Sequence, residues 1–160
     1  MKTYRQTKTR RAFTIVEGMI AMVILVVAVI GTSAYRYYAA LDARKANLHT
    51  TAVRMASLLC EGWSGEDGEA SFNPVTTFSP DLNISAGSGP NAPSGFTALG
   101  SYRIIIDGSY YFATLSWKDV GSDLKALNVI VKWDLSGRGT NVLADANKSY
   151  QLTTYVNKST

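Results

Sequence analysis

The stretch that decides the fold is RRAFTIVEGMIAMVILVVAVIGTSAY, residues 10–35. Residues 18–35 contain no charged side chain, and the apolar stretch as a whole covers residues 13–34. As a helix, this stretch would span about 33 Å at ~1.5 Å per residue, which matches a bilayer hydrocarbon core of about 30 Å. Five Lys and Arg side chains lie in the first twelve residues. Because such a basic flank stays on the cytoplasmic side, the rest of the chain is expected to lie across the membrane.

The composition limits the possible function classes. The chain has 160 residues, which suits one compact domain with an appendage. Five of its 16 basic residues lie at the N-terminus, so the other 11 oppose 12 acidic residues and predict no basic surface for nucleic acid. One cysteine and one histidine exclude an internal disulfide and a zinc site made only of nitrogen and sulfur ligands. We expect no cofactor, no metal and no nucleic-acid partner.

Glu17 is the charged residue inside the apolar stretch, and it leaves three interpretations open. An unpaired carboxylate in a membrane costs several kcal/mol, so its presence needs a reason. The stretch could be a secretory signal peptide cut after Ala34, because Thr32 and Ala34 are small residues at the spacing of such a site. It could be a plain membrane anchor with an acid near its end. It could also be a helix that the mature protein keeps, with cleavage on the cytoplasmic side just before Phe13.

The string RRAFTIVEGMIAMVIL, residues 10–25, resembles the N-terminal signal of type IV pilins and type II secretion pseudopilins. That signal is a basic leader, a small residue, Phe-Thr, two aliphatic residues, Glu and a hydrophobic helix. The resemblance implies that a prepilin peptidase cuts between Ala12 and Phe13 and methylates the new amine. It also implies that Glu17 pairs with the N-terminal amine of a neighbouring subunit, which would supply the cation that a buried acid needs. Members of the family usually carry Gly before the cut, where this chain has Ala12.

The helical pattern continues beyond the membrane-length stretch. No proline precedes Pro74, and residues 35–61 are amphipathic. Gly62 is a stop signal, and residues 63–68 (WSGEDG) are predicted to be a loop. The predicted helix therefore runs from about residue 13 to residue 61 and is roughly 73 Å long at ~1.5 Å per residue. Apolar residues recur along one side of this helix at steps of three, four or seven and form a stripe that can pack on the rest of the globular part: Tyr38, Leu41, Leu48, Ala52, Met55 and Leu59.

The C-terminal part of the chain is predicted to be an antiparallel sheet. Residues 63–101 contain all four prolines and are predicted to be a loop, with a short strand-like piece at 75–78 and a flexible linker at 87–89. Asp107-Gly108 predicts a hairpin turn. The predicted sheet covers residues 102–157 in about four strands: 102–107, 110–118, 127–135 and 150–157. One apolar face of this sheet needs a cover, which the helix stripe supplies.

The predicted globular part offers few candidate sites for chemistry. His49 has no nucleophile or orienting acid in a recognisable motif, so it is predicted to be a surface or boundary residue. Cys60 is predicted to be a small buried hydrophobe. An acidic cluster near the end of the helix is either a calcium site or a solvated loop: Glu61, Glu66, Asp67 and Glu69. We expect no catalytic residue, no metal ligand and no enzyme activity.

Together with the resemblance, these patterns imply an α+β chain with a pilin-like fold. Residues 1–12 would be a leader, 13–62 the long helix with 13–34 in the membrane or filament core, and 63–160 the globular head. The expected location is the inner membrane, in a single pass with a periplasmic head, before assembly into a pilus or pseudopilus. The expected partners are other pilin or pseudopilin subunits through the N-terminal helix, prepilin peptidase and the inner-membrane assembly platform. The expected function is that of a minor structural subunit, and the alternative is a surface-exposed pilin that binds a ligand in adhesion or DNA uptake.

Overall fold

The chain folds as one long helix followed by an antiparallel sheet. The computed structural model describes residues 14–79, 81–135 and 141–157. The long helix, α1, covers Ile15–Gly65, and its C-terminal part packs on a sheet of five strands. The predicted α+β class is confirmed.

The chain divides, at a point within α1, into two compact units. They are Met1–Ala43, which we call the N-terminal segment, and Arg44–Thr160, which we call the head. From Ile15 onward the N-terminal segment is one uninterrupted helix. It lacks proline, and its many Val, Ile, Leu, Met and Ala side chains place no polar group in competition with the helical hydrogen bonds.

In the head, α1 buries one face against the sheet. The buried side chains recur mostly at steps of three or four residues: Leu48, Ala52, Ala56, Leu59, Cys60 and Trp63. This spacing puts them on one side of the helix, as the predicted stripe requires from Leu48 onward. Tyr38, which the sequence pattern also places on the stripe, lies in the N-terminal segment and is exposed. The stripe that forms the core of the head therefore begins ten residues later than predicted, at Leu48.

The sheet is a meander in which strands that follow one another in sequence are paired in space. Its strands are β1 (Asn83–Ala86), β2 (Thr97–Ile106), β3 (Ser109–Asp119), β4 (Leu124–Trp133) and β5 (Lys148–Asn157), with a short 3₁₀ helix at Leu143–Asp145 before β5. Within the described ranges the sheet has five strands, one more than the sequence predicts. Strand β1 and the start of β2 lie in the predicted loop 63–101, because a strand of four residues between Pro- and Gly-rich stretches gives little alternation to detect.

The predicted turn between β2 and β3 is confirmed. Asp107 and Gly108 are its two central residues, and both have positive φ, 49° and 72°. Two such residues in a two-residue loop form a type I′ turn, whose twist matches the twist of the flanking strands.

Helix α1 ends at Gly65, beyond the predicted stop at Gly62. The reason is Trp63, whose side chain is fully buried and stacks on Phe72 with ring centroids 6.2 Å apart. Its indole N–H donates a 2.8 Å hydrogen bond to the Glu69 carbonyl. Burial of so large a side chain stabilises the extra helical turn, so the prediction of a loop from residue 63 is wrong for its first three residues.

A second helix, α2, covers Pro74–Phe78, where the sequence predicts a strand-like piece. Asn73 is its N-cap, and the Asn73 side chain accepts a 3.1 Å hydrogen bond from the backbone N–H of Val75. Pro74 then occupies the first helical turn, where its missing N–H costs nothing. The strand prediction is wrong because the cap at Asn73 and the proline in the first turn favour a helix, although the residues after Pro74 include β-branched side chains.

The loop before β2 packs on the face of the sheet opposite to α1. Ala113 and Leu115 of β3 belong to the core beneath α1, so Thr114 between them points to this outer face. Thr114 is buried there and donates a hydrogen bond to the carbonyl of Pro90. A Cβ atom at Gly89 would lie 2.7 Å from the carbonyl oxygen of Ala113. Gly89 and Pro90 therefore pack on the sheet, whereas Gly87 and Ser88 are exposed. The prediction of a flexible linker at residues 87–89 is wrong at Gly89.

Candidate functional site: the N-terminal apolar helix

The N-terminal segment exposes a continuous apolar surface. Twelve large hydrophobic side chains between residues 15 and 30 are exposed, from 50% at Val26 to 85% at Ile15. They surround the helix, since consecutive positions point in directions about 100° apart: Ile15, Val16, Met19, Ile20, Met22, Val23, Ile24, Leu25, Val26, Val27, Val29 and Ile30. A soluble monomer rarely exposes an apolar surface this large, so lipid or other protein must cover it.

The length of this surface suits a membrane. Among the described residues, α1 is the one helix that is long and apolar enough to cross a bilayer. Its residues 15–34 measure about 30 Å at ~1.5 Å per residue, the thickness of the hydrocarbon core. The structure therefore agrees with a chain that crosses the membrane once.

Glu17 lies in the first turn of α1 and is exposed. Its backbone N–H donates a 3.3 Å hydrogen bond to Oγ1 of Thr14, the residue just before the helix. Thr14 and Glu17 thus have the spacing of a capping box, in which the hydroxyl satisfies a backbone N–H that has no helical partner. The positive end of the helix dipole also favours a carboxylate here. The local motif Thr-x-x-Glu at residues 14–17 is the sequence signal for this arrangement.

Among the described residues, the carboxylate of Glu17 has no ion-pair partner. The predicted cleavage junction, Ala12 and Phe13, lies outside the described residues, so its position relative to Glu17 stays a prediction. Nothing in the described helix covers the side chain of Glu17, which is therefore exposed.

The polar residues near the other end of the apolar stretch are satisfied within the helix. The hydroxyl of Thr32 donates to the carbonyl oxygens of Ala28 and Val29, each at 3.0 Å. The hydroxyl of Ser33 donates to Val29 at 2.8 Å. These bonds remove most of the cost of placing a hydroxyl in an apolar layer. Thr32 and Ser33 can therefore lie in an apolar layer without an unpaired hydroxyl donor.

The candidate sites of the head remain separate side chains. His49 is exposed and its ring makes an edge contact with Trp133, with centroids 5.7 Å apart. Cys60 is buried, as predicted, and burial raises the pKa of its thiol above 9.0. The described residues form no group of three or more His, Cys, Asp or Glu side chains that could hold a metal ion, the acidic residues 61–69 included.

Comparison with known proteins adds no relative to these observations: no protein-family model, no curated protein and no solved structure matches this chain.

Proposed function

We propose that this chain is a minor structural subunit of a bacterial type IV pilus or of a type II secretion-like pseudopilus. Its precursor spans the inner membrane once, with the head in the periplasm. A prepilin peptidase cuts before Phe13 and methylates the new amine. The mature subunit then enters the filament through α1, with the help of the inner-membrane assembly platform. The subunit acts through contacts with other subunits and not as an enzyme.

The observation that carries the proposal is the exposed apolar surface of residues 15–34 on a helix that continues into a folded head. Such a surface can be covered by lipid before assembly and by the helices of neighbouring subunits afterwards. Exchange between the two environments costs little, because lipid tails are as apolar as the Val, Ile and Leu side chains of the helix. A helix removed with a signal peptide would not need to run on without a break to Gly65.

Glu17 supports the same proposal through its charge. A carboxylate near the end of a membrane helix is tolerated when a cation neutralises it. Phe13 precedes Glu17 by four residues, so after cleavage an amine and a carboxylate would lie in the same layer of the membrane. An amine of an incoming subunit that approaches the Glu17 of a subunit in place would fix the axial step between them.

Two substitutions of Glu17 separate this assembly role from helix capping. Glu17→Gln removes the charge but keeps an amide that suits the third position of a capping box, and Glu17→Val removes both. If the charge drives assembly, both variants lower the ratio of filament-associated to membrane-associated protein. The expected loss is at least about tenfold, which corresponds to about 1.4 kcal/mol of lost pairing energy.

Met19→Leu is the matched control, because it changes an exposed apolar residue in the next turn without changing charge. Cleavage of the precursor should continue in all three variants. A Glu17→Gln variant that assembles like the unmodified chain would show that Glu17 acts as a helix cap, and it would contradict the assembly mechanism.

A further inference from the structure

A group of aromatic side chains directly follows residues 15–34, which contain none themselves. Residues 15–34 contain no Phe, Tyr or Trp, whereas Tyr35, Tyr37 and Tyr38 follow immediately. These tyrosines are 75%, 63% and 65% exposed. Tyr37 and Tyr38 contact each other edge to face, with ring centroids 5.8 Å apart. Three large exposed aromatic residues in four positions are unusual on a soluble helix and need a partner.

The four side chains at residues 35–38 point in four directions about 100° apart around the helix. Tyrosines occupy three of these directions and Arg36, which is also exposed, occupies the fourth. A single protein partner contacts one side of a helix. A lipid–water interface contacts all sides at one depth, which is the arrangement that residues 35–38 fit.

The distance along the helix agrees with this partner. Residues 15–34 span about 30 Å, so position 35 falls where the hydrocarbon core of a bilayer ends. Tyr rings are favoured at this level, because the ring enters the apolar layer while the hydroxyl reaches the headgroups. The guanidinium of Arg36 can pair there with headgroup phosphates. The basic residues of the first twelve positions mark the opposite, cytoplasmic side.

We propose that Tyr35, Arg36, Tyr37 and Tyr38 form an interfacial girdle that binds the lipid headgroup region of the periplasmic leaflet and sets the depth of α1 in the membrane. The proposal rests on the proposed function only in that the helix spans a membrane. The girdle holds residue 34 at the edge of the hydrocarbon core while the subunit waits for assembly. It also resists deeper insertion, because the charged Arg36 would then enter the apolar layer.

The test measures how well water reaches position 34. The full chain carries Cys60→Ser, so that no natural thiol reacts, and Ala34→Cys as the reporter. It is reconstituted in vesicles of phosphatidylethanolamine and phosphatidylglycerol and treated with a membrane-impermeant maleimide. Replacing the three tyrosines by serine should raise the labelling rate at position 34 by about tenfold. Without the tyrosines the membrane–water boundary shifts along the helix toward residues 32 and 33, so that position 34 lies in water. Replacing the tyrosines by tryptophan should leave the rate within about twofold, since Trp has the same interfacial preference.

Each outcome decides one question. A labelling rate that the serine variant does not change overturns the girdle, and so does a tryptophan variant that labels like the serine variant. Extraction of the vesicles with alkaline carbonate reports membrane insertion separately. If the unsubstituted chain is extracted, the helix does not span the membrane, and both the girdle and the membrane part of the proposed function are wrong. If the chain stays in the vesicles but its labelling ignores the tyrosines, the girdle alone is wrong.

Discussion

The hydroxyl of Thr114 on β3 donates a 2.6 Å hydrogen bond to the carbonyl oxygen of Pro90, which lies 24 residues earlier in the chain. Both residues are buried. The hydroxyl of Ser101 on β2 lies 3.0 Å from the same Thr114 oxygen. Buried hydrogen bonds thus hold the loop before β2 on the outer face of the sheet. The stability of the head should depend on these bonds.

The head should fold without the N-terminal apolar stretch. A fragment that begins at Tyr37 lacks the surface of residues 15–34 and keeps the buried face of α1 from Leu48 to Trp63. We expect it to be soluble and to unfold in one cooperative step in urea, followed by circular dichroism. A fragment that begins at Phe13 is the control and should require detergent. Aggregation of the shorter fragment would show that the head needs the preceding segment.

Thr114→Val should destabilise this fragment by about 1–3 kcal/mol, because it leaves the buried Pro90 carbonyl without a donor while the volume of the side chain stays the same. The free energy of unfolding from urea titration measures the effect. Thr97→Val, on the exposed start of β2, is the matched control and should change the stability by less than about 0.5 kcal/mol. Equal stability of both variants would mean that water replaces the Thr114 hydroxyl.

Gly89→Ala should also destabilise the head, by about 1–3 kcal/mol. The new Cβ atom would overlap with the Thr114 hydroxyl and would lie 2.7 Å from the Ala113 carbonyl oxygen. The loop must then move away from the sheet, which weakens the Thr114–Pro90 bond. Gly121→Ala is the control, since a Cβ atom at Gly121 meets no atom within 4 Å. If Gly89→Ala leaves both the stability and the proteolysis of the loop unchanged, the close approach at Gly89 is wrong.

The stability of the head should fall at alkaline pH. Burial raises the pKa of Cys60 above 9.0 and the pKa values of Tyr102 and Tyr111 above 10.0. Each group is neutral when protonated, so the folded state holds its protons more tightly than the unfolded state. Their contribution to stability is full below pH 9 and is lost as the pH rises through the folded-state pKa values.

Urea titrations of the fragment from pH 8 to pH 11 measure this loss. Tyr111→Phe, which removes a hydroxyl that is bonded to Thr51, should make the alkaline decrease smaller. A free energy of unfolding that stays constant up to pH 11 would contradict the burial of these three groups.

The features that the sequence predicted correctly are those with strong local signals. The stripe from Leu48 to Leu59 has helical periodicity, and Asp107-Gly108 has the turn chemistry of a two-residue hairpin. The Thr14-x-x-Glu17 spacing is also a local signal, for the capping bond from the Glu17 N–H to the Thr14 hydroxyl, whereas the assembly role of Glu17 stays a prediction.

The features that were missed depend on contacts between distant residues. Trp63 extends α1 because Phe72 and the Glu69 carbonyl lie beside it in the folded head. The sequence around Gly89 is typical of a flexible linker, and only the contacts of Gly89 with the sheet show that it is packed. No local pattern in residues 62–101 contains this information, so the packing of Gly89 and Pro90 on the sheet could not be predicted from composition.

The mature N-terminus is the measurement that tests the central claim most directly. Protein extracted from membranes of the producing cells is analysed by intact mass and by sequencing of its N-terminal peptide. A processed pilin-like subunit begins at Phe13, carries one methyl group on its amine and has lost residues 1–12. A mature chain that begins at Tyr35 would mean that residues 1–34 are a secretory signal peptide, and a chain that retains Met1 on an unprocessed leader would mean a plain membrane anchor. Either result would contradict the proposed function.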